Sequence, residues 1–588
     1  MTWLLLVLAC AGEKGPLGED TGPPEDGGGT LSDGGTSGDG GETTADGGGT
    51  SGDGGGTSGD GGGTSGDGGG TSGDGGTSGD GGTSGDGGTS GLHPWDGLEG
   101  PVLGIPNLDD DDEDDRADWS QTRVSSAEDD LSVLTLPALG AGEALELRLS
   151  GDTSSVRVWR DGALLLDSGS PSARIEGPLD GLDLRVEFST FRVEALLDLS
   201  IEGVGAWELA LRSSPLILNH HLQDGELQNA MSYPGAYGNA AMLAGYTEIL
   251  GGAFESYPAA SYDYDVWLQD EIEYGTATAP GLRLDVVLDS IRTSRGQYLD
   301  GLVQTFGGPG LAVVTYGSGM ASSQDYFGNL EISPPVTVDG VSYPYGRVYW
   351  GYTRTTRPHL DLRTALEDQA VQEPFELDVG WLCVGHVDEF MTFLPDPDRD
   401  KGFVLVVADT DLGWEFLESL DPDTSLSKYR STHGYRTVGD MQADSAMQRE
   451  NEDMQAENIE PALEIMIEEL DLDEADILRI PALFEQSRVC GAALALIPGT
   501  ANMTVYPMGG ELHAFMPDPF LREDGVDVAD DPFVAEIEAL LPAGIVPHWL
   551  DDWNTYHANW GEVHCGSNTM RTPTASWWDE ADHLLGVD

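Results

Sequence analysis

The sequence predicts an α/β protein in which an all-β sandwich and a long Gly/Asp-rich spacer precede the mixed domain. Three observations carry this. Glycine makes up 83 of the 588 residues, about twice the usual share, and the excess sits before residue 98. From Leu98 to Leu209 apolar and polar residues alternate, and after residue 210 short continuous apolar runs are interspersed with helical spacing.

In chain order, Met1 to Ala9 is an apolar run too short to span a bilayer and is followed by Cys10. It resembles a bacterial lipoprotein signal, so residues 1–9 are expected to be removed and Cys10 to be lipidated. The protein is then exported and lipid-anchored at the cell envelope or surface. Residues 10–97 form a low-complexity linker repeating Thr-Ser-Gly-Asp-Gly-Gly, with Asp53, Asp60, Asp67, Asp74, Asp80 and Asp86 marking the period. Such a segment has little apolar surface to offset the entropy of ordering it, and its aspartates repel one another. It should be a disordered, extended leash.

Residues 98–209 alternate with period two: Leu145, Leu147, Leu149; Val156, Val158; Leu182, Leu184, Val186 and Phe188. An Asp161-Gly162 turn joins two of these runs. This pattern predicts antiparallel strands in an Ig-like sandwich. At its head, Asn107 and the acids Asp109 to Asp115 admit two readings. Composition alone favours a solvated acidic run; the alternative is a site for a hard divalent cation.

In residues 210–588 the runs Leu284 to Leu288, Leu311 to Val314, Phe403 to Ala408 and Ala492 to Ile497 read as buried strands. Leu463, Met466, Ile467 and Leu470 line one face of a helix. No Gly-rich phosphate loop, CxxC or HExxH is present, so nucleotide and zinc chemistry are not supported. The 27 basic and 104 acidic residues give a net charge of −77, so nucleic acid is a poor partner. With Cys10 assigned to lipid, Cys383, Cys490 and Cys565 leave an odd number, so at least one is a free thiol or pairs between chains.

Three strings concentrate reactive side chains: Asp265 to Glu273 with Trp267, Gln269, Asp270 and Glu271; Val384 to Phe390 with His386 and Asp388; and Gly561 to Asn568 with His564 and Cys565. Together they supply a nucleophile, a proton donor and carboxylates able to hold a cation. These strings resemble the motifs of the calcium-dependent protein-arginine deiminases (peptidylarginine deiminases), which convert protein arginine to citrulline. The likeness continues through Leu288-Asp289-Ser290, Phe327 to Val336, Gly385 to Leu394, Ile480 to Phe484 and Trp577-Trp578, covering residues 210–588 almost end to end.

The resemblance implies a pentein fold, with five pseudosymmetric ββαβ units around a central site. It makes Cys565 the nucleophile, His386 the acid/base, and Asp270 and Asp388 the carboxylates that grip the guanidinium. Trp267 would pack on the aliphatic stem of the arginine, and Arg292 and Arg295 would hold the substrate backbone. Ca²⁺ would be the cofactor. One site would use Gln269, Glu273, Glu331 and the carbonyls of Phe327 and Leu330, and another would use Glu271, Asp289 and Ser290. The acidic head, with Asn107, Asp109, Asp111 and the segment from Asp130, resembles the start of the family's middle domain, where further calcium binds. Expected partners are arginine-containing proteins or peptides, with the membrane reached only through the lipid. Two other readings stand beside this one. The same chemistry could act on free arginine, agmatine or methylarginine, or as an amidinotransferase; or the chain could be a catalytically silent calcium-binding surface module.

Overall fold

The computed structural model describes residues 94–114, 116–122, 130–293, 299–574 and 576–586. The expected signal, Cys10, the linker through residue 93 and Arg295 lie outside the described residues. Among the described residues no helix is long and apolar enough to cross a membrane.

The alternating segment folds as expected into two stacked sheets. One has the order Val102–Gly104, Gly205–Ser213, Glu194–Ile201, Ala144–Gly151, Ser172–Glu176; the other runs Ser132–Leu136, Leu182–Phe188, Val156–Arg160, Ala163–Leu166. Period two places Leu145, Leu147 and Leu149 in the core while Glu146 and Arg148 face solvent. The last strand ends at Ser213, four residues beyond the expected boundary at 209.

From residue 217 onward the topology repeats. Five small sheets each combine one or more antiparallel pairs with one parallel pair, and each parallel pair is joined through a helical crossover. Gly225–Ser232 leads through the helix Ala240–Leu250 to Phe254–Pro258. The hairpin Ile272–Ala279/Leu282–Asp289 leads through Asp300–Val303 to Leu311–Thr315. Leu330–Ile332 and Val348–Tyr352 continue through Leu360–Gln369 to Phe375–Asp378. Met391–Pro395 and Phe403–Asp409 continue through several helices to Ile477–Pro481, and Thr504–Met508 and Glu511–Pro517 through Pro532–Leu540 to Ile545–Leu550. The strand that completes the first unit is Ser567–Arg571, contributed from near the end of the chain and antiparallel to Gly225–Ser232. These are five ββαβ units, closed by joining the end of the domain to its beginning.

The predicted strands at 284–288, 311–314 and 403–408 are present. The run Ala492 to Ile497 is a correction: only Ala493–Ala495 is a strand, in a hairpin with Phe484–Gln486. Leu496 and Ile497 instead donate their amides to the Leu483 carbonyl, which takes the chain off the ladder. The amphipathic helix spans Glu460–Leu470 and buries Leu463, Met466 and Leu470, with Ile467 half-buried at its margin. Cys383 and Cys490 form a disulfide with a Cα–Cα distance of 5.8 Å. Cys565 is the free cysteine among the described residues, which resolves the odd count.

Candidate active site

The five units put one residue each at the domain's centre by the same device. Cys565 stands two residues before Ser567–Arg571, Asp270 two before Ile272–Ala279, Gly328 two before Leu330–Ile332, Asn502 two before Thr504–Met508, and Asp388 three before Met391–Pro395. A strand buried by its neighbours fixes the turn that feeds it, so each side chain is aimed by a rigid element.

These residues converge. The Cys565 thiol lies 3.6 Å from Asp388 Oδ2, and Asp270 Oδ1 lies 3.6 Å from His386 Nδ1. Gly328 closes the circle: a Cβ there would meet His386 Nδ1 at 2.8 Å, Asp270 Oδ1 at 3.1 Å and Asp388 Oδ2 at 3.2 Å. Asp270, His386, Asp388 and Cys565 are all buried, yet Asp270 Oδ1, Asp388 Oδ1 and His386 Nδ1 make no hydrogen bond. Buried polar atoms are rarely left so, and Asp270 Oδ1 and His386 Nδ1, which face the space at Gly328 with Asp388 Oδ2, mark where a polar guest fits.

The loop holding His386 is locked from behind. Glu389 accepts from the amides of Gly385 and His386 at 2.9 Å each, and Gly385 has φ +81°, a conformation glycine reaches without strain. His386 Nε2 lies 2.9 Å from the Ser323 carbonyl, so that nitrogen carries the donated proton and Nδ1 faces Asp270.

Asn502 was not foreseen, and it organises the nucleophile. Its Oδ1 accepts from the amides of His564 and Cys565 at 3.1 and 3.2 Å, while its Nδ2 lies 3.2 Å from the Cys565 sulfur and donates to the Asp388 carbonyl at 3.1 Å. A lone asparagine gives no sequence signal, but its place two residues ahead of a first strand matches Asp270 and Cys565 and could have found it. Trp267 stands beside the thiol: a Cβ on Gly561 would meet its ring at 2.4 Å and the Cys565 sulfur at 3.2 Å, so ring and thiol flank the same gap. A cavity of about 140 Å³, lined by Glu389, His433, Asn502, His557, Glu562 and Cys565 among others, reaches the thiol from another side.

The electrostatics are dominated by burial. Burial, with Asp388 and Asp270 beside it, pushes the Cys565 thiol well above its ordinary range. Burial pushes Asp270 up to about 6, against the pull of His386 and Arg292.

Arg292 sits among the acids of the first string. Its guanidinium turns inward, 2.8 Å from Asp265 and 3.2 Å from Glu271, with Nε 4.0 Å from Asp270. Three buried carboxylates need a cation, and Arg292 supplies it in this structure. Arg295 lies outside the described residues.

Most expected calcium ligands come together. Gln269 Nε2 donates to Glu273 at 2.7 Å and to the Phe327 carbonyl at 3.2 Å, and Glu331 shares their small cavity with Oε1 making no hydrogen bond. The Leu330 residue opens the strand that carries Glu331. Glu271 and Asp289 gather with Asp300, which was not foreseen. Ser290 is adjacent but turned away, donating its hydroxyl to the Asp325 carbonyl. In the acidic head Asp109 and Asp111 gather with Asp118, also unforeseen, while Asp130 belongs to none of these groups. Asn107 donates to Glu187 at 3.0 Å, which leaves its buried Oδ1 without a hydrogen bond.

A buried cysteine, a histidine and two carboxylates thus converge on one small space at the centre of the five units. The chain belongs to the protein-arginine deiminase family: the family's model matches residues 207–579. It is 35% identical over 327 residues to human protein-arginine deiminase type-4, a match covering 54% of this chain and 48% of that protein. It is 36% identical over 328 residues to human protein-arginine deiminase type-1, covering 54% and 47%. The chain thus spans about half the length of the curated relatives it matches. Among solved structures, the N-terminal domain of ArgZ, an arginine dihydrolase from cyanobacteria, matches at 9% identity over 59% of this chain and 98% of that one, with a TM-score of 0.29.

Proposed function

We propose that this protein hydrolyses the guanidinium of peptidyl-arginine to citrulline and ammonia, with Ca²⁺ as its cofactor. The observation that carries it is the set of three unsatisfied buried atoms, Asp270 Oδ1, Asp388 Oδ1 and His386 Nδ1, beside a free thiol. A guanidinium is planar, permanently charged and rich in N–H donors, so two carboxylates fix it with charge-assisted hydrogen bonds. Orientation is their main contribution, and it can remove roughly 7–11 kcal/mol of barrier at best.

Substrate also completes the electrostatics. The same carboxylates that hold the Cys565 proton on are neutralised by the arriving cation, which makes the thiolate accessible. His386 takes the thiol proton as the sulfur adds to the guanidinium carbon, then delivers that proton to the departing nitrogen, and the C–N bond breaks to release ammonia and leave a thiouronium on Cys565. His386 then takes a proton from water, whose oxygen adds to the same carbon. Rupture of the C–S bond releases citrulline and the thiol.

For calcium, the oxygen donors Gln269, Glu273, Glu331 and the Phe327 and Leu330 carbonyls suit a hard ion, as do Glu271, Asp289 and Asp300, with Ser290 next to them. The orphaned oxygens Glu331 Oε1, Asp289 Oδ1 and Asn107 Oδ1 support this. Bound calcium would supply positive charge that orders these segments. Arg292 and the Gln269 amide supply the charge and donors that Glu271 and Glu273 use here, and release of Arg292 from Glu271 would free it for the substrate backbone. The head of the sandwich, read as an Ig-like middle domain, offers a further site at Asn107, Asp109, Asp111 and Asp118. The disulfide fits an oxidising compartment, consistent with export and lipidation at Cys10.

The test is citrulline formation from an internal-arginine peptide and from free arginine, each with Ca²⁺ and with excess chelator. Turnover of the peptide only with Ca²⁺ is expected. Turnover of free arginine alone would move the assignment to a small-molecule deiminase, and undiminished rates in chelator would refute the metal requirement.

A further inference from the structure

The same cavity that gathers Gln269, Glu273 and Glu331 also holds two imidazoles that the calcium reading does not use. His221 Nε2 lies 3.7 Å from Glu331 Oε2, and His564 Nε2 lies 3.7 Å from Glu331 Oε1. One donor atom from each of the three residues falls within 4.8 Å of the others; Glu331 and His564 are buried, and the His221 side chain is 11% exposed. The spacings are too long for hydrogen bonds and are close to those between donors that share a small metal ion.

The surroundings orient both rings. His564 Nδ1 is 3.0 Å from Asp388 Oδ2, and His221 Nδ1 is 3.1 Å from the Thr392 hydroxyl. Each ring is held by one nitrogen so that the other meets Glu331, which is how metal-binding histidines are fixed. Glu331 Oε1 is buried and makes no hydrogen bond, so it points to something absent from the protein itself. The cavity, of about 20 Å³, has room for a single atom-sized guest.

We infer that His221, Glu331 and His564 form a site for a divalent transition metal of the zinc type, separate in its donor set from the calcium ligands and sharing only Glu331 with them. Two imidazoles and a carboxylate suit zinc, with a fourth position left for water, whereas calcium takes oxygen donors. Because one carboxylate serves both sets, zinc and calcium compete, and zinc antagonises calcium-dependent turnover. That last consequence rests on the deiminase reading; zinc binding does not.

The experiment uses the full chain stripped of metal and titrated with Zn²⁺ against a chromophoric chelator, with Co²⁺ absorption reporting coordination geometry. The expected result is one tight ion per chain and the visible bands of four-coordinate cobalt. His221→Ala and His221→Gln should each weaken affinity at least tenfold, with thermal unfolding confirming that the fold persists in at least one of them. Cys565→Ser should bind zinc as the wild type does. No tight ion, equal affinity in both His221 variants, or loss of the ion in Cys565→Ser would overturn the site. If zinc binds as expected while no guanidino substrate turns over, the deiminase reading fails and the metal site stands.

Discussion

Two histidine pairs flank the reaction centre, and they are wired in opposite ways. His433 and His557 face each other through Nε2 at 3.0 Å, and their Nδ1 atoms meet Glu485 at 2.9 Å and Glu562 at 2.8 Å. Every ring nitrogen there has a protein partner, and burial lowers both pKa values, that of His557 to about 3. His221 and His564 instead aim their Nε2 atoms at one carboxylate without bonding to it. Burial alone would lower His564, but Glu331 and Asp388 raise it to about 9. A network that closes on itself stabilises the fold, whereas one left open is a place for a ligand. The same contrast separates Arg292, paired inward with Asp265 and Glu271, from Asp270 Oδ1, which is unbonded and faces the space at Gly328.

Filling the open gap should have the largest effect. Gly328→Ala puts a methyl group against His386, Asp270 and Asp388, and kcat/KM should fall by about 100-fold or more with thermal stability little changed. A variant with wild-type turnover would show that the gap is not where substrate sits. Breaking the closed ion cluster comes next. Arg292→Met strands Asp265 and Glu271 and should cost about 3–5 kcal/mol in chelator, as measured by denaturant unfolding, with Ca²⁺ restoring much of it. Equal loss with and without Ca²⁺ would separate Arg292 from the calcium site.

Proton competition for the open carboxylate is smaller. Asp270 must be ionised to grip a cation, so kcat/KM should decline as pH falls through about 6, the value to which burial raises this acid. The sign for folding is the reverse: an acid held above its ordinary 3.8 adds stability as pH falls from about 6 toward that value. A flat rate profile between pH 5 and about 7 would contradict the role of Asp270. The smallest effect belongs to the closed pair. His433→Gln should lose about 1–3 kcal/mol of stability and leave zinc affinity at the wild-type value. A large fall in zinc affinity would erase the distinction between the two pairs.

Much of this was legible in the chain because its signals are local. Alternation over Leu145 to Leu149 and the apolar run at Phe403 to Ala408 report on burial directly, and the motif strings around Asp270, His386 and Cys565 carry their chemistry in a few neighbouring residues. What escaped depends on chain closure. Asn502 and Gly328 are ordinary residues until the five units bring them beside Cys565 and Asp270, and His221 meets His564 only when Ser567–Arg571 returns to complete the first sheet. The inward pairing of Arg292 was not legible because sequence spacing does not show that three carboxylates converge on it.

The central claim is attack by Cys565 on a guanidinium held by Asp270 and Asp388. It is tested most directly by mixing excess wild-type protein with an arginine peptide and Ca²⁺, quenching in acid within a single turnover, and measuring the mass of the intact chain. The account predicts a transient adduct of the peptide less ammonia on Cys565, followed by citrulline, with both absent in Cys565→Ser. Citrulline formed without any adduct, and at an undiminished rate in Cys565→Ser, would contradict it.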